Sequence, residues 1–103
     1  MSGYELSPRA NERLDAIYVY GVERWGEAQA EAYVNTLFDW FGKIARGEVL
    51  SKPIPAEFGV DGRYRRHARH FIYWRRLANG AVGIVTVLHD RMHRIDRFKE
   101  DAA

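Results

Sequence analysis

Imidazole and guanidinium groups are the side chains in this sequence with chemistry to offer. His67, His70, His89 and His93 are its histidines, and six arginines (Arg63, Arg65, Arg66, Arg69, Arg75, Arg76) fall within one short stretch. Arg91, Arg94 and Arg97 continue the bias. Histidine exchanges a proton near neutrality and can act as a general acid or base. Arginine neutralises phosphates, stacks on bases and grips carboxylates. The histidine pairs, with two and three intervening residues, have spacings that fit a metal site. Neither pair has a nearby acidic set to orient it, so no metal or other cofactor is expected. Alternation along a strand also prevents one strand from pointing all its arginines the same way. Three readings of the basic stretch stay open: a solvated sheet edge, a contact for an acidic protein segment, and a contact for nucleic acid.

Composition narrows the setting. A chain of 103 residues builds one core, which makes residues 1–103 a single domain with its body at about residues 4–92. With 47% hydrophobic and 29% charged residues the chain lies far from the signature of disorder. The net charge is only +2, but acidic residues gather before Trp40 and arginines after Gly62, so the second half is basic. The absence of cysteine excludes disulfides and thiolate metal sites and suits a reducing compartment. Residues Met1 to Ala10 contain no apolar leader, and no run approaches a membrane span. A cytoplasmic protein without membrane contact is expected.

The elements that must position these groups can be read from spacing. Tyr4 to Leu6 alternates as a short strand, and Ser7-Pro8 is a strong helix entry. Leu14, Ile17, Tyr18, Gly21, Val22 and Trp25 recur at helical spacing. Gly26 breaks that pattern, with Trp25 beside it read as an aromatic anchor for the turn. A second helix is predicted from about Glu27 to Arg46, its apolar arc running from Ala30 to Ala45 and Gly47 standing as its C-cap glycine. Glu48 to Asp61 reads as a loop. Strands follow at Arg63 to His67, His70 to Leu77 and Ala81 to His89, the last two joined by Ala78-Asn79-Gly80. The last strand is apolar on both faces, which predicts a central or doubly covered position. The polar residues after Asp90 are expected to form a short tail. The fold class is therefore α+β: an N-terminal strand, a helical hairpin, then a three-stranded antiparallel meander, with both helices on one sheet face and the other face open.

Motifs at the helix junction and in the last two strands carry a family resemblance. Trp25-Gly26-x-x-Gln29-Ala30-x-x-Tyr33, then His70-Phe71-Ile72-Tyr73-Trp74-Arg75, then Val87-Leu88-His89-x-Arg91-Met92 resemble the ParE toxins of the RelE/ParE toxin-antitoxin superfamily, over about Tyr4 to Met92. The resemblance implies the β-α-α-β-β-β fold and the toxin half of a bacterial type II toxin-antitoxin system. It implies a hetero-oligomer with a ParD-like antitoxin, whose C-terminal segment wraps the toxin while its N-terminal half binds the operator. Operator DNA would thus be reached only through the antitoxin. It implies DNA gyrase as the target, inhibited by binding and without catalysis.

RelE siblings instead cut mRNA on the ribosome, and two alternatives follow: such an endonuclease, or a non-toxic antitoxin-binding scaffold. His70 and Arg91 fall near two of the RelE basic positions and would be the catalytic pair. The RelE tyrosine position falls near Arg97, however, and no tyrosine follows Tyr73. Thr86 also stands where many ParE members carry arginine, so no role of that arginine transfers.

One surface is expected to bind the antitoxin. Val19 and Tyr20 lie outside the apolar arc of the first helix, and Trp40 sits at the margin of the second. Apolar side chains would cover these residues and the open sheet, with carboxylates meeting Arg65, Arg66 and Arg75.

Overall fold

The structure, a computed structural model, describes residues 3–92 and 94–102. Strand β1 (Tyr4–Leu6) leads into helices α1 (Pro8–Trp25) and α2 (Glu27–Ala45). Strand β2 (Lys52–Pro53) and a 3-10 turn (Ala56–Phe58) follow, then β3 (Arg63–His67), β4 (His70–Arg76), β5 (Val82–His89) and helix α3 (Arg94–Ala102). Among the described residues the sheet has five strands in the order β1-β5-β4-β3-β2. β1 runs parallel to β5, and the remaining neighbours are antiparallel.

Local chemistry sets the helix boundaries. The Ser7 hydroxyl oxygen accepts the Ala10 N–H, and Pro8 opens α1. The same hydroxyl donates to the Val85 carbonyl at 2.7 Å, tying the start of α1 to β5. Gly26, at φ +92°, ends α1 with its N–H on the Val22 carbonyl and starts α2 directly. At the tip of the hairpin a Cβ on Gly21 would come within 3.0 Å of the Ala30 Cβ, so glycine there lets the two helices close.

The sheet is covered on both faces. Ala10, Leu14, Leu37, Phe41 and Ile44 of the hairpin pack against Ile72, Trp74, Val82, Ile84 and Val87. On the other face Ile54, Phe58, Tyr73, Val85, Leu88 and Phe98 form a second core. This corrects two expectations. The segment after Asp90 is no tail but helix α3, and the face expected to be open lies under it and the 3-10 turn. Ile95, Phe98 and Ala102 form a one-sided apolar stripe that suffices to dock a helix, although the segment as a whole is polar. The loop reading of Glu48 to Asp61 also missed β2, a two-residue pairing at the sheet edge where Pro53 is tolerated. β5 is doubly covered, in keeping with its continuous apolar run.

A register shift opposite Tyr73 and Trp74, which pair with Thr86 and Ile84, leaves Val85 without a partner on β4. The bulge lets Val85 pack in the second core while its carbonyl receives Ser7.

Candidate functional site

Along the hairpin tip and the distal end of β5 runs a groove of about 700 Å³. α1 supplies Ile17, Tyr20 and Trp25, α2 supplies Gln29, Ala30 and Tyr33, and the sheet side supplies Arg69, His70, Val87, His89, Arg91 and Met92. Its walls are mostly apolar, and two aromatic rings stand out from them. Trp25 is 51% and Tyr20 47% exposed, their rings edge to face at 6.1 Å. The Arg24 guanidinium lies over the Tyr20 ring at 5.4 Å. Trp25 is therefore no buried anchor. The close approach of Gly21 and Ala30 leaves no interior space at the tip, and the indole rests on its outside.

The polar end of the groove is a histidine cluster. Tyr33 Oη and His70 Nδ1 are 2.5 Å apart, and His70 is only 8% exposed. Burial pushes the His70 pKa down to about 4, and the neighbouring His89 and His67 act in the same direction against Asp90. At neutral pH His70 is uncharged and its Nδ1 accepts the Tyr33 hydroxyl, which assigns the ring proton to Nε2. Burial also raises the Tyr33 pKa. The His70 and His89 rings meet edge to face at 5.1 Å, and the Arg91 N–H donates to His89 Nδ1 at 3.0 Å. His67 faces His70 across the β3–β4 turn and stacks on Tyr33. Its pKa is lowered by burial and by Arg65.

Two turns converge here. The Asp90 N–H donates to the Arg69 carbonyl at 2.8 Å, fixing the β3–β4 turn against the end of β5. Arg69 and Arg91 are exposed, and neither guanidinium makes a hydrogen bond or ion pair among the described residues. Arg13, also on the groove, is committed elsewhere. It grips the fully buried Asp101 carboxylate of α3 with Nε and Nη2 at 2.9 and 3.0 Å, which raises its pKa. Thr86 Oγ1 donates to the same carboxylate at 2.6 Å, and Arg9 Nε lies 3.4 Å from it. Thr86 is thus committed to Asp101.

The residues expected to meet an antitoxin are dispersed. Tyr20 lines the groove, with Val19, 54% exposed, adjacent on α1. Trp40 lies farther along α2, between Lys43 at 5.0 Å and Arg65 at 4.5 Å, and adjoins His67. Arg65 donates to the Leu50 carbonyl, and its Nε is buried without a partner. Arg66 points to the opposite sheet face, over Phe71, and pairs with Asp90 at 2.9 Å. Arg75 is exposed at the far end of β4 opposite Gly83, away from the groove. Sequence reasoning missed Trp25, Arg69 and Met92. The signal for Arg69 was present, since the turn between His67 and His70 leaves it outside the strand pairing.

The remaining expectations concern chemistry. His70 and Arg91 do share the groove. The basic nitrogen of His70 is nevertheless occupied by Tyr33, and the ring is buried. Among the described residues no group of His, Asp and Glu is arranged to hold a metal ion, and His93 lies outside them. No helix among them is long and apolar enough to cross a membrane.

The chain is similar to known toxins. Residues 4–94 match the family described as the ParE toxin of the type II toxin-antitoxin system parDE. Toxin ParE1 of Caulobacter vibrioides is 34% identical over 95 residues, covering 90% of this chain and 94% of that protein. Toxin ParE1 of Mycobacterium tuberculosis is 31% identical over 96 residues, covering 93% and 96%. A solved chain of the chromosomal ParDE system of P. aeruginosa shares the fold with a TM-score of 0.68 at 17% identity, over 86% of this chain and 96% of that one. The match across nearly the whole length, on a sheet and hairpin built as described, makes this chain a member of the ParE toxin family of type II toxin-antitoxin systems.

Proposed function

We propose that this chain acts by binding and without catalysis: a ParD-like antitoxin neutralises it in a hetero-oligomer in the cytoplasm, and DNA gyrase is the target of the free toxin. The observation that carries the antitoxin half is the apolar groove with Tyr20 and Trp25 standing half exposed in it. Apolar surface left wet is unfavourable by about 25 cal/mol per Å² that a partner would cover, and aromatic side chains in such settings are the usual hot spots. Val19 and Tyr20 would contact the segment directly, and Trp40 with Arg65 would extend the contact past Tyr33 and His67. Arg66 and Arg75 would be reached only by a segment that continues around the sheet. Operator DNA would be contacted through the antitoxin alone.

The occupied Nδ1 of His70 and the lack of a tyrosine after Tyr73 favour binding over RNA cleavage. Purified toxin is expected to inhibit gyrase supercoiling or trap cleaved DNA, and the antitoxin is expected to reverse it. No effect of folded protein at stoichiometric excess would overturn the gyrase reading. Codon-phased cuts in toeprints of translating ribosomes, lost in His70→Ala and Arg91→Ala, would replace it with the endonuclease. Unimpaired growth on expression without the antitoxin would leave only the scaffold.

A further inference from the structure

Arg69 and Arg91 stand out because the other arginines around the histidine cluster are engaged. Arg13 is held by Asp101, Arg66 by Asp90, and Arg65 by the Leu50 carbonyl and the Trp40 ring. Arg94 lies on the Phe71 ring at 3.9 Å. The carboxylate next to Arg91 in the chain, Asp90, is already paired with Arg66, and His70 is neutral. Two positive charges without a counter-charge thus border the polar end of an otherwise apolar groove. The hydrogen bond from Asp90 N–H to the Arg69 carbonyl and that from Arg91 N–H to His89 Nδ1 hold their backbones in place.

We propose that Arg69 and Arg91 form a seat for one carboxylate of the antitoxin segment that fills the groove, its apolar side chains lying along Ile17, Tyr20 and Trp25. The inference rests on the antitoxin reading above and adds to it the register of the bound segment. Charge complementarity requires an anionic group at this end, and the apolar walls require a chain that is apolar elsewhere. An RNA strand fits less well, because it would need cations spaced along the groove, whereas these two stand at one end. Guanidinium forks suit a carboxylate in two-point contact, and such charge-assisted bonds are stronger than neutral ones.

The test is a calorimetric titration of the toxin with the antitoxin encoded beside it, separated from their natural complex, at low and at high salt. Arg69→Gln/Arg91→Gln is expected to bind about 10- to 100-fold more weakly and with a shallower salt dependence. Replacing the antitoxin's carboxylates one at a time should reveal one whose loss is costly against the wild-type toxin and silent against the double variant. Wild-type affinity and salt dependence in the double variant, or no coupled carboxylate, would overturn the seat. A wild-type toxin that does not bind the antitoxin would instead overturn the antitoxin reading. An oligouridylate bound by the wild type and lost in the double variant, with antitoxin binding unchanged, would also overturn the seat, in favour of nucleic acid. Both arginines are exposed, and thermal melting checks that the variants stay folded; if the double variant melts early, the single Arg69→Gln and Arg91→Gln variants carry the test.

Discussion

Strand β5 carries two polar clusters only a few residues apart, and they are opposite in kind. At Thr86 the cluster is closed: Asp101 is fully buried and receives Thr86, Arg13 and Arg9, so that α1, β5 and α3 meet on one carboxylate. At His89 the cluster is open: Tyr33, His89 and the uncharged His70 lie beside Arg69 and Arg91, whose charges are unanswered among the described residues. The residue types overlap, so composition does not separate the two. What separates them is whether each charge already has its partner, which makes the first cluster a structural lock and the second a surface ready for a ligand.

The largest test breaks the lock. Asp101→Ala leaves the Arg13 guanidinium and the Thr86 hydroxyl without their acceptor and is expected to cost about 3 to 4 kcal/mol. Urea unfolding monitored by circular dichroism would show a large drop in midpoint, and an unchanged midpoint would refute the lock.

The open cluster should reveal itself through acid. Burial holds the folded pKa of His70 at about 4, below the 6.5 of a free imidazole, so the unfolded chain binds the proton first. Stability is therefore fully present above about pH 6.5 and is lost as pH falls toward 4, by about 2 to 3 kcal/mol from this residue. About a unit below pH 4, where the folded imidazole is also protonated, this contribution stops changing. Denaturation curves of His70→Gln should lose that part of the slope, and a slope equal to wild type would mean the imidazole is not protected from protonation.

Smaller effects sharpen the contrast. Thr86→Val removes one donor from a carboxylate that keeps its arginines, and a loss of about 1 kcal/mol is expected in thermal unfolding. Tyr20→Ala should change monomer stability by only about 0.5 kcal/mol, since half its ring is already in water, yet weaken antitoxin binding about tenfold or more. Equal affinity of Tyr20→Ala and wild type by titration would remove Tyr20 from the interface.

Much of the fold was legible in the sequence wherever the deciding interactions are local. Ser7-Pro8, Gly26 and Asn79-Gly80 marked their helix ends and turn because caps and tight turns depend on a few consecutive residues. The three strands of the meander were found within one residue of their bounds for the same reason. α3 escaped because Ile95, Phe98 and Ala102 are sparse among charges, and only the second core rewards their spacing. The doubly apolar run of β5 already spoke against an open sheet face; the absence of a third amphipathic helix before Asp90 had hidden what covers it.

Sequence by itself determined the helical hairpin, the antiparallel meander and membership in the ParE family, because periodicity, turn chemistry and motif spacing are properties of neighbouring residues. It also determined that a surplus of arginine exists in the second half. Which arginines are free was decided only by the tertiary structure. Arg13 meets Asp101 across 88 positions and Arg66 meets Asp90 across 24, whereas Arg69 and Arg91 are left at one end of a groove whose opposite wall comes from α1 and α2. A charge is neutralised by whatever folding brings within a few ångströms of it, and no spacing along the chain encodes that distance.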